Sequence, residues 1–146
     1  MLRRLQSTID PFTPENFISL GESYLRGLGV TRQKSTYLLH LSNSILSGDL
    51  SLARLSRMTD DDVRLRLTRI KGIGSWSADV YLLMAMRRAD IWPAGDLALA
   101  VAVKELWGLE FRPTPEELER IAERWRPYRA VAARMLWQHY LGKKSV

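Results

Sequence analysis

The chain contains no cysteine. Disulfides, thiol nucleophiles, cysteine-bound zinc and a four-cysteine iron–sulfur cluster are therefore excluded. Histidine is nearly as scarce: His40 and His139 are the only two, neither stands at a metal-ligand spacing, and local patterns assemble no Ser-His-Asp set around them. Both read as structural. No apolar run reaches the roughly 18 residues of a membrane span, and Arg3 and Arg4 are not followed by an apolar stretch of signal-peptide length. The expectation is a soluble cytoplasmic protein, nucleoid-associated if bacterial, with no membrane partner. Sustained period-two alternation is missing, so no strand is predicted. Repeats and low-complexity linkers are absent too, which implies one continuous domain over residues 1–146.

What the chain does have is positive charge. It carries 22 Lys and Arg against 16 Asp and Glu, a net charge of +6, with a pI near 10.0. That balance suits a polyanion such as nucleic acid, but a merely basic surface would look the same.

Punctuation along the chain predicts helices. Thr13-Pro14-Glu15 and Thr114-Pro115-Glu116-Glu117 each pair a hydroxyl cap with proline at the first helical position. Tyr37, Leu38, Leu41, Ile45 and Leu46 recur at helical spacing in a segment from about Thr31 to Ser47. Asp49 to Leu55 reads as a short helix. Thr59-Asp60-Asp61-Asp62 reads as a cap with acids at the positive helix end, a better account of those carboxylates than a divalent-metal site. The following helix carries Val63, Leu65, Leu67 and Ile70. Beyond Ile70, Trp76, Val80, Leu83 and Met84 form one apolar stripe from Ser75 to about Arg87. Leu97 to Trp107 is almost wholly apolar and predicts a buried central helix, and a final helix is expected from about Pro127 to Leu141. The sum is an all-α chain of about eight helices.

Two features carry the chemistry. The first is Leu67-Thr68-Arg69-Ile70-Lys71-Gly72-Ile73-Gly74-Ser75-Trp76-Ser77-Ala78. A Gly-x-Gly between two helical runs turns the backbone tightly and lets its N–H groups approach an anion with no Cβ in the way. Arg64, Arg66, Arg69 and Lys71 crowd the approach. The second is Asp96, after Pro93-Ala94-Gly95 and before an apolar helix. It is a good N-cap, and the positive end of a helix also favours a negative charge there.

Together these residues resemble the helix-hairpin-helix base-excision DNA glycosylases (the HhH-GPD superfamily), and among them the 3-methyladenine DNA glycosylases. The match runs roughly from Pro11 to Tyr140 and is specific between Leu67 and Val103. The resemblance implies that Arg69, Lys71, Gly72, Ile73, Gly74, Ser75 and Ser77 grip one DNA strand. Carbonyls of Thr68, Ile70 and Ile73 would share a Na+ or K+ ion with a phosphate, and no other cofactor is called for. Asp96 would be the catalytic anion. Where some relatives carry a Schiff-base lysine, two residues after the second glycine, this chain has Trp76, which cannot be an amine nucleophile. The implied activity is monofunctional hydrolysis of the N-glycosidic bond of alkylated purines in damaged double-stranded DNA, without lyase chemistry. Trp76, Trp92 and Tyr128 would stack on the cationic base, while Trp107, Trp125 and Trp137 read as core. Asp79 is a weak second carboxylate candidate.

The family normally brings further helices before the point where this chain starts, including one that inserts a side chain into the DNA stack. This leaves three readings: a short variant, a fragment, or a homo-oligomer completing the fold. It also leaves an alternative function, a non-catalytic DNA-binding module that lacks efficient base flipping.

Overall fold

The computed structural model describes residues 2–142, which contain nine α-helices, one 3-10 turn and no strand. The chain divides into two compact units, Met1–Gly74 and Ser75–Val146. The division falls inside the glycine hairpin.

In the first unit, α1 (Leu2–Thr8), α2 (Pro14–Gly27), α3 (Arg32–Leu46), α4 (Leu52–Leu55) and α5 (Asp60–Thr68) follow one another. Sequence reading missed α1, although Leu5 and Ile9 sit at helical spacing; both are buried with Phe17, Leu25 and Val30 in a core that Leu20, Leu28, Leu38 and Leu39 extend. Helices α2 and α3 pack against each other. Helix starts follow a single chemistry: Thr13, Thr31, Ser51 and Thr59 each accept a backbone N–H from the residue three positions on. The short helix expected from Asp49 begins only at Leu52, because Leu50 donates its N–H back to the Ser44 carbonyl and Asp49 accepts the Ser47 hydroxyl. Helix α5 buries Val63 and Leu67, followed by Ile70, and leaves Leu65 exposed on another face.

The second unit runs α6 (Ser75–Met84), α7 (Leu97–Trp107), α8 (Pro115–Ala122), a 3-10 turn (Glu123–Trp125) and α9 (Arg129–Gly142). Of the stripe expected on α6, Leu83 is buried, but Trp76 and Met84 are not. Ala78, Leu82 and Leu83 are buried, whereas Trp76 and Met84, spaced by fours along the other face, are exposed. Helix α7 is likewise one-sided: Leu99, Ala100, Ala102 and Val103 are buried, and Leu97 and Leu106 face solvent. Thr114 and Glu117 form a reciprocal capping box at the start of α8.

Helices α7 and α9 pack on each other. The start of α9 is fixed by Arg129, a buried arginine whose Nε donates to Asp90 Oδ1 at 2.7 Å and whose second nitrogen reaches the Asp90 backbone carbonyl. Partial burial pushes the Asp90 carboxyl up, but the hydrogen bonds and charge of Arg129, helped by Arg126, outweigh it and hold the group below the usual aspartate range. Arg134 of α9 ties back to the carbonyl of Leu83. The carboxylate and indoles described below depend on this anchored α9. Among the described residues, no helix is long and apolar enough to cross a membrane.

Candidate functional site

The hairpin is built first by the end of α5. Ile70 donates to the Leu67 carbonyl and Ile73 to the Ile70 carbonyl, so two short turns reverse the chain between Leu67 and Ile73. The N–H groups of Lys71, Gly72 and Gly74 have no hydrogen-bond partner among the described residues, and all three residues are exposed. Helix α6 starts immediately after Gly74, which has no side chain to cap it, so the first-turn amides of Ser75, Trp76 and Ser77 lack intrahelical acceptors. Exposed amides without partners, at the end of the first unit, and an uncapped helix N-terminus, at the start of the second, are each the kind of backbone group that takes an anion.

The two glycines have different reasons to be glycine. Gly72 has φ +96°, and a Cβ there would run into the ring of Tyr37 on α3. Gly74 has open space where its Cβ would lie and no left-handed φ. Gly72 is thus required by the protein's own packing, whereas Gly74 leaves room beside the backbone for something outside it. Tyr37, held through its hydroxyl by Gln33 Nε2 at 2.8 Å, is a determinant of the hairpin that sequence reading placed only on a core stripe.

Asp96 lies at the N-cap of α7 and is 6% exposed. Three donors converge on its carboxylate. Oδ1 accepts the Leu99 N–H at 2.9 Å and the Trp137 indole N–H at 3.1 Å. Oδ2 accepts the Trp76 indole N–H at 2.8 Å. Each carboxylate oxygen offers about two acceptor positions, so Oδ1 is filled and Oδ2 retains one. Asp96 also lines an open cavity of about 490 Å³ with Gly95, Leu97, Ala100, Arg112 and Pro113.

Trp76 is 48% exposed and touches Asp96 itself. Trp137, expected only as core, is the residue that sequence reading missed. Its position one α9 turn beyond Ala133, on the helix packed against α7, gave no signal that the indole edge would meet a carboxylate 41 residues earlier. Tyr128, just before α9, is 63% exposed. Trp92 departs from the expected role: it is 5% exposed and packs against Trp125 with ring centroids 5.4 Å apart. A ring enclosed this way offers no face to a base. Its Nε1–H is buried without a hydrogen-bond partner among the described residues. His139 pairs with Glu105, in keeping with a structural role. Among the described residues no three His, Cys, Asp or Glu side chains are grouped to hold a metal.

Among the described residues, a glycine hairpin with unpartnered amides joins two helices, and a buried aspartate further on caps α7 and accepts two indoles, features of a helix-hairpin-helix protein. Residues 1–127 match the HhH-GPD superfamily of base excision DNA repair proteins, and the chain belongs to that superfamily. It is 30% identical to the alkylbase DNA glycosidase-like protein mag2 of Schizosaccharomyces pombe, over 86% of this chain and 60% of that protein. It is 29% identical to a DNA-3-methyladenine glycosylase of Bacillus subtilis, over 85% of this chain and 41% of the relative. The structure of the S. pombe 3-methyladenine DNA glycosylase Mag1 in complex with abasic DNA superposes with a TM-score of 0.82 at 29% identity, covering 86% of this chain and 62% of that one. The chain thus spans roughly half the length of the curated relatives it matches.

Proposed function

We propose that this chain is a monofunctional DNA glycosylase that hydrolyses the N-glycosidic bond of alkylated purines, of the 3-methyladenine and 7-methylguanine class, and leaves an abasic site. The observation that carries the reading is the Asp96 carboxylate, fixed by three donors yet keeping one acceptor position on Oδ2. Breaking the bond between base and deoxyribose builds positive charge on the sugar. A carboxylate whose orientation is already set stabilises that charge without reorganising, and its remaining acceptor position orients an attacking water.

The other residues take supporting parts. Lys71, Gly72, Ile73, Gly74, Ser75 and Ser77, with Arg69, hold one strand by amides and charge, which positions the duplex without reading sequence. Trp76 and Tyr128 offer exposed electron-rich rings to a cationic base. Trp76 also occupies the position where a Schiff-base lysine would stand, so the product keeps its phosphodiester backbone. A monovalent cation fits the carbonyls of Thr68, Ile70 and Ile73 chemically, since hard cations take oxygen ligands. The Ile70 oxygen already accepts one N–H, from Ile73, and would share its second lone pair. Bound there, the ion would add positive charge beside a phosphate. The names and DNA-bound structure of the relatives support a double-stranded DNA partner.

The test is a duplex carrying one 3-methyladenine or 7-methylguanine. The parent chain should generate alkali-labile sites, and Asp96→Asn should lower the rate at least 100-fold while binding the same duplex. Binding without product by the parent would replace the enzyme with a DNA-binding module. Sedimentation of the same samples tests the homo-oligomer expected from the sequence.

A further inference from the structure

The first unit also contains a basic concavity. A cleft of about 420 Å³ is lined by Ser44, Asp49, Leu50, Arg66, Arg69 and Ile70. Arg66 in the last turn of α5 and Arg69 at its C-cap are three residues apart, so they share a face. Neither has an ion-pair partner among the described residues, whereas Arg64 of the same helix is paired with Asp61 at 2.8 Å. Two like charges left together against a concave wall repel each other, and an anion between them relieves that repulsion. Buried Leu50 and Ile70 close the apolar side. Asp49 supplies the single carboxylate, with Oδ2 already engaged by the Ser47 hydroxyl.

We propose that this cleft is a second phosphodiester site, gripping the DNA backbone through Arg66, which the hairpin does not use, and through Arg69, which it shares with the hairpin. The proposal rests on the DNA-binding part of the function proposed above. Charge matching selects the ligand: two guanidinium groups against one carboxylate leave a local charge of about +1, which suits the single charge of a phosphodiester better than a dianionic phosphate monoester or free phosphate. Asp49 thereby tunes the site, and removing its charge should tighten the hold on any backbone.

Salt-dependent duplex binding by the whole chain tests this. Each phosphate contact contributes close to one unit to the slope of log K against log salt, so Arg66→Gln and Arg69→Gln should each reduce that slope by about 1, equally for damaged and undamaged duplex. Arg120→Gln on α8 removes the same charge elsewhere and should change the slope by clearly less. Asp49→Asn should raise duplex affinity. Should Arg66→Gln fail to fold, Asp49→Asn carries the test, because Asp49 lines the cleft and has no part in the hairpin's grip. Inorganic phosphate at matched ionic strength should compete no better than chloride; displacement of duplex by phosphate in the parent, lost in Arg66→Gln, would overturn the phosphodiester assignment. If the parent binds and excises but Arg66→Gln matches Arg120→Gln, the cleft is overturned and the glycosylase stands. A parent with no duplex affinity overturns both.

Discussion

In the hairpin the amides of Lys71, Gly72 and Gly74 have no acceptor among the described residues, whereas Asp96 is a side chain with three donors already in place. The first region offers donors that its own fold leaves unused. The second is an anion, held so firmly by its own protein that a single acceptor position is left. A surface that only has to grip a phosphate needs exposure and few fixed atoms, because any strand will do. On the proposed function, a carboxylate facing one sugar carbon needs its orientation settled beforehand, and burial and two indoles would provide that. The difference predicts that substitutions in the two regions should separate affinity from rate.

The largest effect outside Asp96 is expected at Gly72. Any side chain there meets a strained φ, at about 1–3 kcal/mol, and displaces the Tyr37 ring at a further cost of about 1–3 kcal/mol. Gly72→Ala should therefore lower stability by roughly 3 kcal/mol and reduce duplex binding with it. Gly74→Ala has neither penalty, so its melting temperature should stay within the range of a surface change, about 0.5 kcal/mol, while duplex affinity still falls because the Cβ occupies space a phosphate would use. Thermal melts beside binding isotherms decide the matter, and equal stability losses at the two glycines would erase the distinction between them. Adding Tyr37→Ala to Gly72→Ala should restore the steric part of the loss and leave the φ part.

Next in size are the two indoles on the carboxylate. A hydrogen bond to a charged group contributes about 1.5–3 kcal/mol, so Trp137→Phe and Trp76→Phe should each lower the single-turnover rate by about tenfold or more, with duplex affinity unchanged for Trp137→Phe. Trp76→Phe should also weaken discrimination for the cationic base if its exposed ring stacks there. A Trp137→Phe enzyme at full rate would mean that Leu99 N–H and Trp76 alone orient Asp96.

How much of this was legible beforehand depends on whether the information is local. Caps, helix starts and the glycine hairpin are written in residues within four positions of one another, and Thr13, Thr31, Thr59, Asp96 and Thr114 all cap as their sequence context implies. Which of two apolar faces is buried is not local. Helix α6 carries the expected stripe of Trp76, Val80, Leu83 and Met84, and the packing of the unit buries Leu83 of it with Ala78 and Leu82 while leaving Trp76 and Met84 exposed. Tyr37 against Gly72 and Trp137 against Asp96 are contacts across 35 and 41 residues, with no spacing rule to announce them. Asp96 was legible because capping is a local rule, while the residues that finish its orientation were not.

The smallest effect sharpens the comparison by contrast with Trp76. Trp92 has the same side chain, yet its indole N–H is buried without a partner among the described residues and its ring packs against Trp125 instead of a carboxylate. An unsatisfied buried donor costs about 1–3 kcal/mol, whereas trimming an indole to a phenyl ring loses packing of similar size. The two terms oppose each other at Trp92 and add at Trp76, where the N–H is used. Trp92→Phe should therefore change stability by less than about 1 kcal/mol and leave both excision and duplex binding at the parent level, as read by thermal melting and single-turnover rates. A rate loss at Trp92 matching that at Trp76 would restore it to the base pocket and would require its ring to leave the core during the reaction.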